Sequence, residues 1–316
     1  TSTNLMLSSL VFALAVTSAT SAIVVQRGTS DVHLAVSPKC GTLSGNPADV
    51  NAGLRPLNTY KTIVSFGDSY TDGGVRDGSP LKPPVLSPPN PKAGGRVSNG
   101  PVWVENLAAS ANATLKDYAV CFMDGAVIDS SQYPGLSLPN AHDFLYQANF
   151  FTGQPTRYDP ETTLYTIFFG IGNENNADLS VAAQNIIYEM LVLSSSPTFA
   201  KNFLVVDNYG RGETSATGEA FKQDVFSGLK ALRTIYGANV AFVDFANIWK
   251  GVLGPTPGYK AFGYTNPGAC TVSNDTTVGA CSDPDHSFYW IPGTPSRVTH
   301  RIMATYVEQV VLKCKA

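Results

Sequence analysis

The chain has 316 residues, 43% of them hydrophobic and 14% charged, enough apolar content to bury a full core in one large domain or two modest ones. A formal charge of -3 gives none of the basic surplus that a nucleic-acid or polyanion binder carries. No segment reaches the ~20 apolar residues that a membrane-spanning helix requires.

The first predicted element is an export signal. Residues 5–16 form an apolar stretch, followed by the small residues Ser18, Ala19, Thr20, Ser21 and Ala22. This layout predicts a secretory signal peptide over residues 1–22, cleaved after Ala22. Secretion governs how the cysteines Cys40, Cys121, Cys270, Cys281 and Cys314 are read. They lack metal-site spacing, and an oxidising compartment favours pairing. Cys270 and Cys281 bracket the polar loop TVSNDTTVGA and form the first expected pair. Cys40 with Cys314 is the second, which leaves Cys121 as a buried free thiol. Asn112 and Asn274 each open an Asn-x-Thr triplet, the acceptor pattern for N-glycosylation.

After a lead over residues 23–58, short apolar runs alternate with helical patterns. Residues 61–66, 164–170, 202–207 and 239–245 are nearly continuous apolar runs, the signature of strands buried on both faces of a parallel sheet. Leu179, Ala182, Ile186, Met190 and Leu193 recur at helical spacing. So do Phe221, Val225, Leu229, Leu232 and Ile235, with Gly237 as the stop, and Val298, Ile302, Tyr306 and Val310 near the C-terminus. The aromatic and methionine members of these stripes read as core. Strand, helix, strand repeated predicts an α/β fold, a three-layer α/β/α sandwich of the flavodoxin-like kind on a central parallel sheet. Residues 77–97 hold too many prolines and glycines for regular structure and read as a long loop at the sheet edge where such folds bind ligands.

Candidate chemistry starts at FGDSYTDGG, residues 66–74, which follows the first strand. Ser69 stands where α/β enzymes place a nucleophile. Two further stretches follow in order: GGRVSNGPVW at residues 94–103 and FFGIGNENN at residues 168–176. With these ordered blocks the chain resembles the SGNH hydrolases, also called GDSL esterases, and within them a secreted fungal acetylesterase and lipase-like branch. The resemblance covers residues 61–314. It implies Ser69 as nucleophile and an oxyanion hole made by the backbone of Ser69, the N–H of Gly95 and the side chain of Asn173. Donors aimed at the developing oxyanion are the right chemistry for acyl transfer. The third block departs from the family's Gly-x-Asn-Asp, reading Gly170-Ile171-Gly172-Asn173-Glu174.

The fourth block departs further. The family carries Asp-x-x-His-Pro before its last helix, but here Thr294 precedes Pro295 where the histidine is expected, and Ile291 holds the aspartate's place. Threonine cannot act as a base near neutral pH. Among the four histidines, His286 reproduces the Asp-x-x-His spacing with Asp283, and His300 lies near the start of the last helix. Either is a candidate base, whereas His142, in a helical stretch, and His33, in the lead, read as structural or exposed.

Residues 59–316 are therefore expected to form an ester hydrolase domain with no cofactor and no metal. It would act on short acyl esters, such as acetyl groups of plant cell-wall saccharides, as the fungal resemblance implies. The alternative is a catalytically impaired relative that binds carbohydrate or another surface.

Overall fold

The computed structural model describes residues 31–40, 44–121, 127–129, 142–171 and 179–315. The expected signal peptide, residues 1–22, lies outside them. A short helix α1 (Ala48–Asn51) precedes the first strand, and five parallel strands then form the central sheet: β1 (Thr62–Gly67), β2 (Thr114–Asp117), β3 (Thr163–Phe168), β4 (Asn202–Asp207) and β5 (Asn239–Asp244). Their spatial order is β2-β1-β3-β4-β5. Between them run α2 (Trp103–Ala111), α3 (Phe144–Gly153), α4 (Leu179–Ser194) and α5 (Ala216–Tyr236), and α6 (Ala246–Leu253) follows β5. A second sheet joins β6 (Asn266–Ala269), β7 (Ser287–Ile291) and β8 (Thr294–Pro295), parallel between β6 and β7 and antiparallel between β7 and β8. The helix α7 (Arg297–Lys313) closes the chain.

The apolar runs form a parallel sheet because alternate residues of each strand enter different cores. Ile63, Leu164, Phe168, Leu204, Val206, Ala241 and Val243 share one cluster with residues of α2, α6 and α7. Val64, Phe66, Tyr165, Ile167, Phe203, Val205, Val240 and Phe242 share the other with α3, α4 and α5. Burying both faces leaves no polar side to the strands, hence the continuous hydrophobic sequence. The expected three-layer α/β/α architecture is the observed one.

The helical stripes of α4 and α7 are buried as expected, and Gly237 ends α5 in the left-handed conformation at φ 70. One member fails: Ile235, in the last turn of α5, is 71% exposed. The stripe runs past the point where the helix still covers the core. His142 also differs from expectation, since it precedes α3, whose N-cap is Asp143 accepting a hydrogen bond from the Tyr146 N–H at 2.7 Å.

Both expected disulfides are present, Cys270–Cys281 spanning 11 residues and Cys40–Cys314 spanning 274. Cys121 is the free thiol, half-buried rather than buried. Asn112 and Asn274 are exposed. Among the described residues no helix is long and apolar enough to cross a membrane.

Candidate active site

The Asp68–Ser69 turn is built at the carboxyl end of β1 by contacts that hold its backbone. Asp68 accepts a hydrogen bond from the Tyr70 N–H through its side chain at 2.9 Å, and its carbonyl accepts from the N–H groups of Thr71 and Asp72 at 3.0 Å each. Ser69 stands at the apex and is partly exposed. Gly67 lies between the strand and the turn, where a Cβ would sit 2.7 Å from Thr71 Oγ1 and 3.0 Å from the Phe168 carbonyl. A side chain there has no room. The Gln147 amide of α3 grips the same glycine from both sides, accepting from its N–H and donating to its carbonyl at 2.9 Å.

The following TDGG is held from beneath by two buried carboxylates. Asp72 accepts from the N–H groups of Gly74 (2.6 Å) and Cys121 (2.5 Å), and Asp117, at the end of β2, accepts from those of Gly73 (2.6 Å) and Ala119 (3.0 Å). Burial pushes both carboxyls above the usual range, most strongly at Asp117, where the neighbouring Asp72 adds to it. These aspartates are structural staples of the turn.

Gly95 comes to the loop that follows Ser69 through a glycine-to-glycine approach. Gly74 (φ +92) and Gly95 (φ +102) both occupy backbone that side chains rarely adopt. A Cβ on Gly95 would lie 3.1 Å from the Gly74 Cα, and one on Gly74 would lie 2.9 Å from the Gly94 carbonyl oxygen. The buried Arg96 organises this loop. It forks onto Glu105 at 2.6 and 2.7 Å and donates to the carbonyls of Lys82 (2.9 Å) and Ala93 (3.2 Å). Glu105 in turn accepts from the Val102 N–H at the start of α2 at 2.8 Å. Among the described residues neither the Ser69 nor the Gly95 N–H donates a hydrogen bond, so both amides are available to an oxyanion. Asn173, the expected third donor, lies outside the described residues.

The segment expected to carry the base reaches the same region. The Tyr70 hydroxyl donates to the Gly293 carbonyl, tying the turn between β7 and β8 to the residue after Ser69. Thr294 follows Gly293 and is 9% exposed. Ile291, at the place of the family's aspartate, is buried with Val97, Cys270 and Trp290. An apolar cluster therefore fills the position from which an acid would orient a base.

Of the two candidate histidines, His286 is engaged at both ring nitrogens, whereas His300 packs edge-on against Tyr70 at 6.4 Å between ring centroids, with Nε2 buried and without a hydrogen-bond partner. His286 does meet Asp283, Nδ1 to Oδ2 at 2.8 Å, as the sequence spacing implies, but its Nε2 meets Asp31 Oδ1 at 2.9 Å. The two carboxylates raise its pKa, Asp283 most, and both ring nitrogens are taken up in anchoring the N-terminal lead. His300 is fully buried. Its Nδ1 accepts from the N–H of Trp103, the first residue of α2, at 3.2 Å. That hydrogen bond puts the ring proton on Nε2, and burial pulls the pKa down to about 3, so the ring is neutral. The two histidines brace the lead and α2, and among the described residues no histidine nitrogen is hydrogen-bonded to Ser69. His33 bonds the Asp31 carbonyl at 2.8 Å, and His142 rests edge-on against Tyr146.

Sequence reasoning did not single out Gln147, Asp117, Arg96 or Tyr70. Arg96 stands within the quoted second block, so its motif was a usable signal; Gln147 and Asp117 carry none, because their roles exist only through distant packing.

No protein-family model matches the chain. In sequence it is similar to "Thermolabile hemolysin" of Vibrio parahaemolyticus, 27% identical over 157 residues, which is 49% of this chain and 35% of that protein. It is also similar to "Acetylesterase" of Hypocrea jecorina, 38% identical over 82 residues, which is 24% of this chain and 22% of that protein. The matched stretches thus span about a third or less of these relatives. Among solved structures it is similar to a putative lipolytic protein of the G-D-S-L family from Desulfitobacterium hafniense (15% identical, TM-score 0.39, covering 79% of this chain and 99% of that one). Another is a carbohydrate esterase family 2 enzyme with a carbohydrate binding domain from Corynascus thermopiles (14% identical, TM-score 0.40, covering 80% and 66%). The resemblance to SGNH hydrolases thus rests on the ordered blocks and the local acetylesterase match, and the α/β architecture on the chain's own sheet.

Proposed function

We propose that the protein is a secreted carboxylic ester hydrolase in which Ser69 attacks the ester carbonyl and the N–H groups of Ser69 and Gly95 receive the negative charge. One observation supports this reading: the Asp68–Ser69 turn leaves its serine partly exposed, Gly95 packs against Gly74 of the same loop, and neither the Ser69 nor the Gly95 N–H donates a hydrogen bond among the described residues. Preorganised donors of this kind typically lower an acyl-transfer barrier by about 3 to 4 kcal/mol each. Two disulfides support an oxidising compartment. Short acyl groups on saccharides are the proposed substrate, with Asn173 as a third donor. Incubation with a fluorophosphonate tests the nucleophile. An adduct at Ser69, absent from Ser69→Ala, is expected; no adduct under conditions that label an active esterase of this type sinks the proposal.

A second reading has its own observation. Thr294 and Ile291 stand at the places of the base and its acid, His286 is held between Asp283 and Asp31, and His300 is fully buried with Nδ1 accepting from the Trp103 N–H. Loss of the base costs a serine hydrolase about six orders of magnitude in turnover. On this reading the protein is an impaired hydrolase that binds saccharide in the cleft. Saccharide binding by the Ser69→Ala protein, with hydrolysis by the parent no faster than background, is its expected signature; efficient hydrolysis by the parent rules it out.

A further inference from the structure

The outer surface of α3 and α4 lacks the charge that a solvated helix normally carries. The ten residues of α3 and the sixteen of α4 include a single charged side chain, Glu189, and it is buried. The next helix in the layer, α5, is ordinary in this respect, with Asp224 and Lys230 on its exposed side. What α3 and α4 expose instead is aromatic: Tyr146 at 45%, Phe150 at 42% and Tyr188 at 61%. Tyr146 and Phe150 lie one turn apart with ring planes within 15° of parallel, and Leu145, Ile187, Leu191 and Val192 of the same helices are half-buried. Because α3 and α4 pack on one another over the same core, these residues share one face. A single exposed apolar residue needs no explanation, whereas a continuous uncharged face marks a contact site.

The face has the shape to receive a copy of itself. A groove of about 440 Å³ runs between α4 and α5, lined by Ala183, Ile187, Leu191 and Gly228. Gly228 lets Ile187 rest against α5, since a Cβ there would lie 2.4 Å from the Ile187 side chain. Tyr188, the most exposed of the three aromatics, borders the same groove. A knob beside a hole on one helix is self-complementary: a two-fold axis through the face brings each Tyr188 to the other copy's groove, the isologous arrangement. The lack of exposed charge suits the core of a protein–protein interface, where charged residues are depleted and aromatic ones enriched. It does not suit a membrane surface, whose helices carry Lys or Arg on the polar face. The helix α4 is about 24 Å long and two helices are about 20 Å across, so the face projects about 500 Å², which side-chain relief brings near the roughly 800 Å² that each partner of a stable dimer buries.

We infer that the outer face of α3 and α4, with the groove beside Tyr188, is the interface of a symmetric homodimer. Dimerisation through this face is independent of the chemistry at Ser69.

Sedimentation-velocity ultracentrifugation of the protein from about 1 to 100 µM is the test, the range in which a weak interface of this size assembles. The parent is expected to sediment as a dimer in the upper part of that range. Tyr188→Glu, which carries a charge into the partner's groove, should weaken dimerisation roughly thirtyfold or more, the effect of losing an interface hot spot, and Phe150→Glu should weaken it too. Leu312→Glu, on α7 at 74% exposure, should leave it within about twofold. Circular dichroism establishes that each variant folds; should Tyr188→Glu not fold, Tyr188→Ser is read by the same criterion. A parent that stays monomeric at the top of the range, or a dimer that Tyr188→Glu leaves intact, overturns the inference. A monomer that insoluble cellulose or phosphatidylcholine vesicles pull down, and that Tyr188→Glu releases, also overturns it and gives the face to a saccharide or lipid surface.

Discussion

The two regions that meet at Tyr70 are built by different means. On the side of the Asp68–Ser69 turn the backbone is positioned by glycines that permit close approach and by Gln147, Asp72, Asp117 and Arg96 gripping peptide groups. On the other side the Tyr70 clasp ties in the β7–β8 turn, where Thr294 and Ile291 are buried. Backbone chemistry survives as long as the fold does, whereas a base is a single side chain, lost by one substitution that leaves the fold intact.

The strongest way to break this contrast is to supply the missing side chain. Thr294→His is expected to raise turnover of an acetyl ester at least a hundredfold, within the roughly six orders that a base commands. The pH–rate profile should gain the ionisation of an imidazole, and Ser69→Ala in the same background should abolish the gain. An unchanged rate would show that the turn does not present residue 294 to Ser69.

The reciprocal experiment damages the intact side. Gly95→Ala puts a Cβ 3.1 Å from the Gly74 Cα on backbone at φ +102, so the loop must shift. Labelling of Ser69 should slow about a hundredfold to a thousandfold, the effect of removing one oxyanion donor. Equal labelling of variant and parent would remove Gly95 from the site.

Stability separates the same two regions. Cys270–Cys281 braces the small sheet behind Thr294, and Cys281→Ser should cost about 3 kcal/mol in chemical denaturation, as a closed loop of 11 residues implies. Cys40–Cys314 ties the lead to the end of α7, and its loss should cost about 5 kcal/mol. Ser69 should still label in the Cys281→Ser protein, because its turn draws nothing from that bridge.

The effects of pH on stability run in opposite directions at two buried groups. The folded state holds His300 neutral with a pKa of about 3, below its ordinary 6.5, because of burial. The unfolded chain binds that proton first, so stability falls as pH drops from 6.5 toward 3. Asp207 is raised from 3.8 to about 7, by burial and then by Asp244. There the unfolded chain releases its proton first, and stability falls as pH rises from 3.8 toward 7. Thermal melts should show a flatter acid limb for His300→Asn and a flatter neutral limb for Asp207→Asn, each on the order of a few kcal/mol across its window.

The sequence by itself determined whatever depends on short-range pattern. Continuous apolar runs specified strands buried on both faces, Gly237 marked a helix end, and the cysteine bracket of a polar loop marked a bridge. The Gly-Asp-Ser tract placed its serine at a strand end because strand, turn and serine are contiguous. Tertiary structure decided where distant side chains go. Asp283 and His286 have the spacing of a catalytic pair, but Asp31 claims the other ring nitrogen from 255 residues away. His300 stood as a candidate base near the start of the last helix, and the packing of α7 on α2 buries it, with Nδ1 accepting from the Trp103 N–H. The physical reason is range: φ/ψ preference and hydrophobic period act over a few residues, whereas the partner of a charge or an imidazole is chosen by whatever the folded chain brings within about 3 Å.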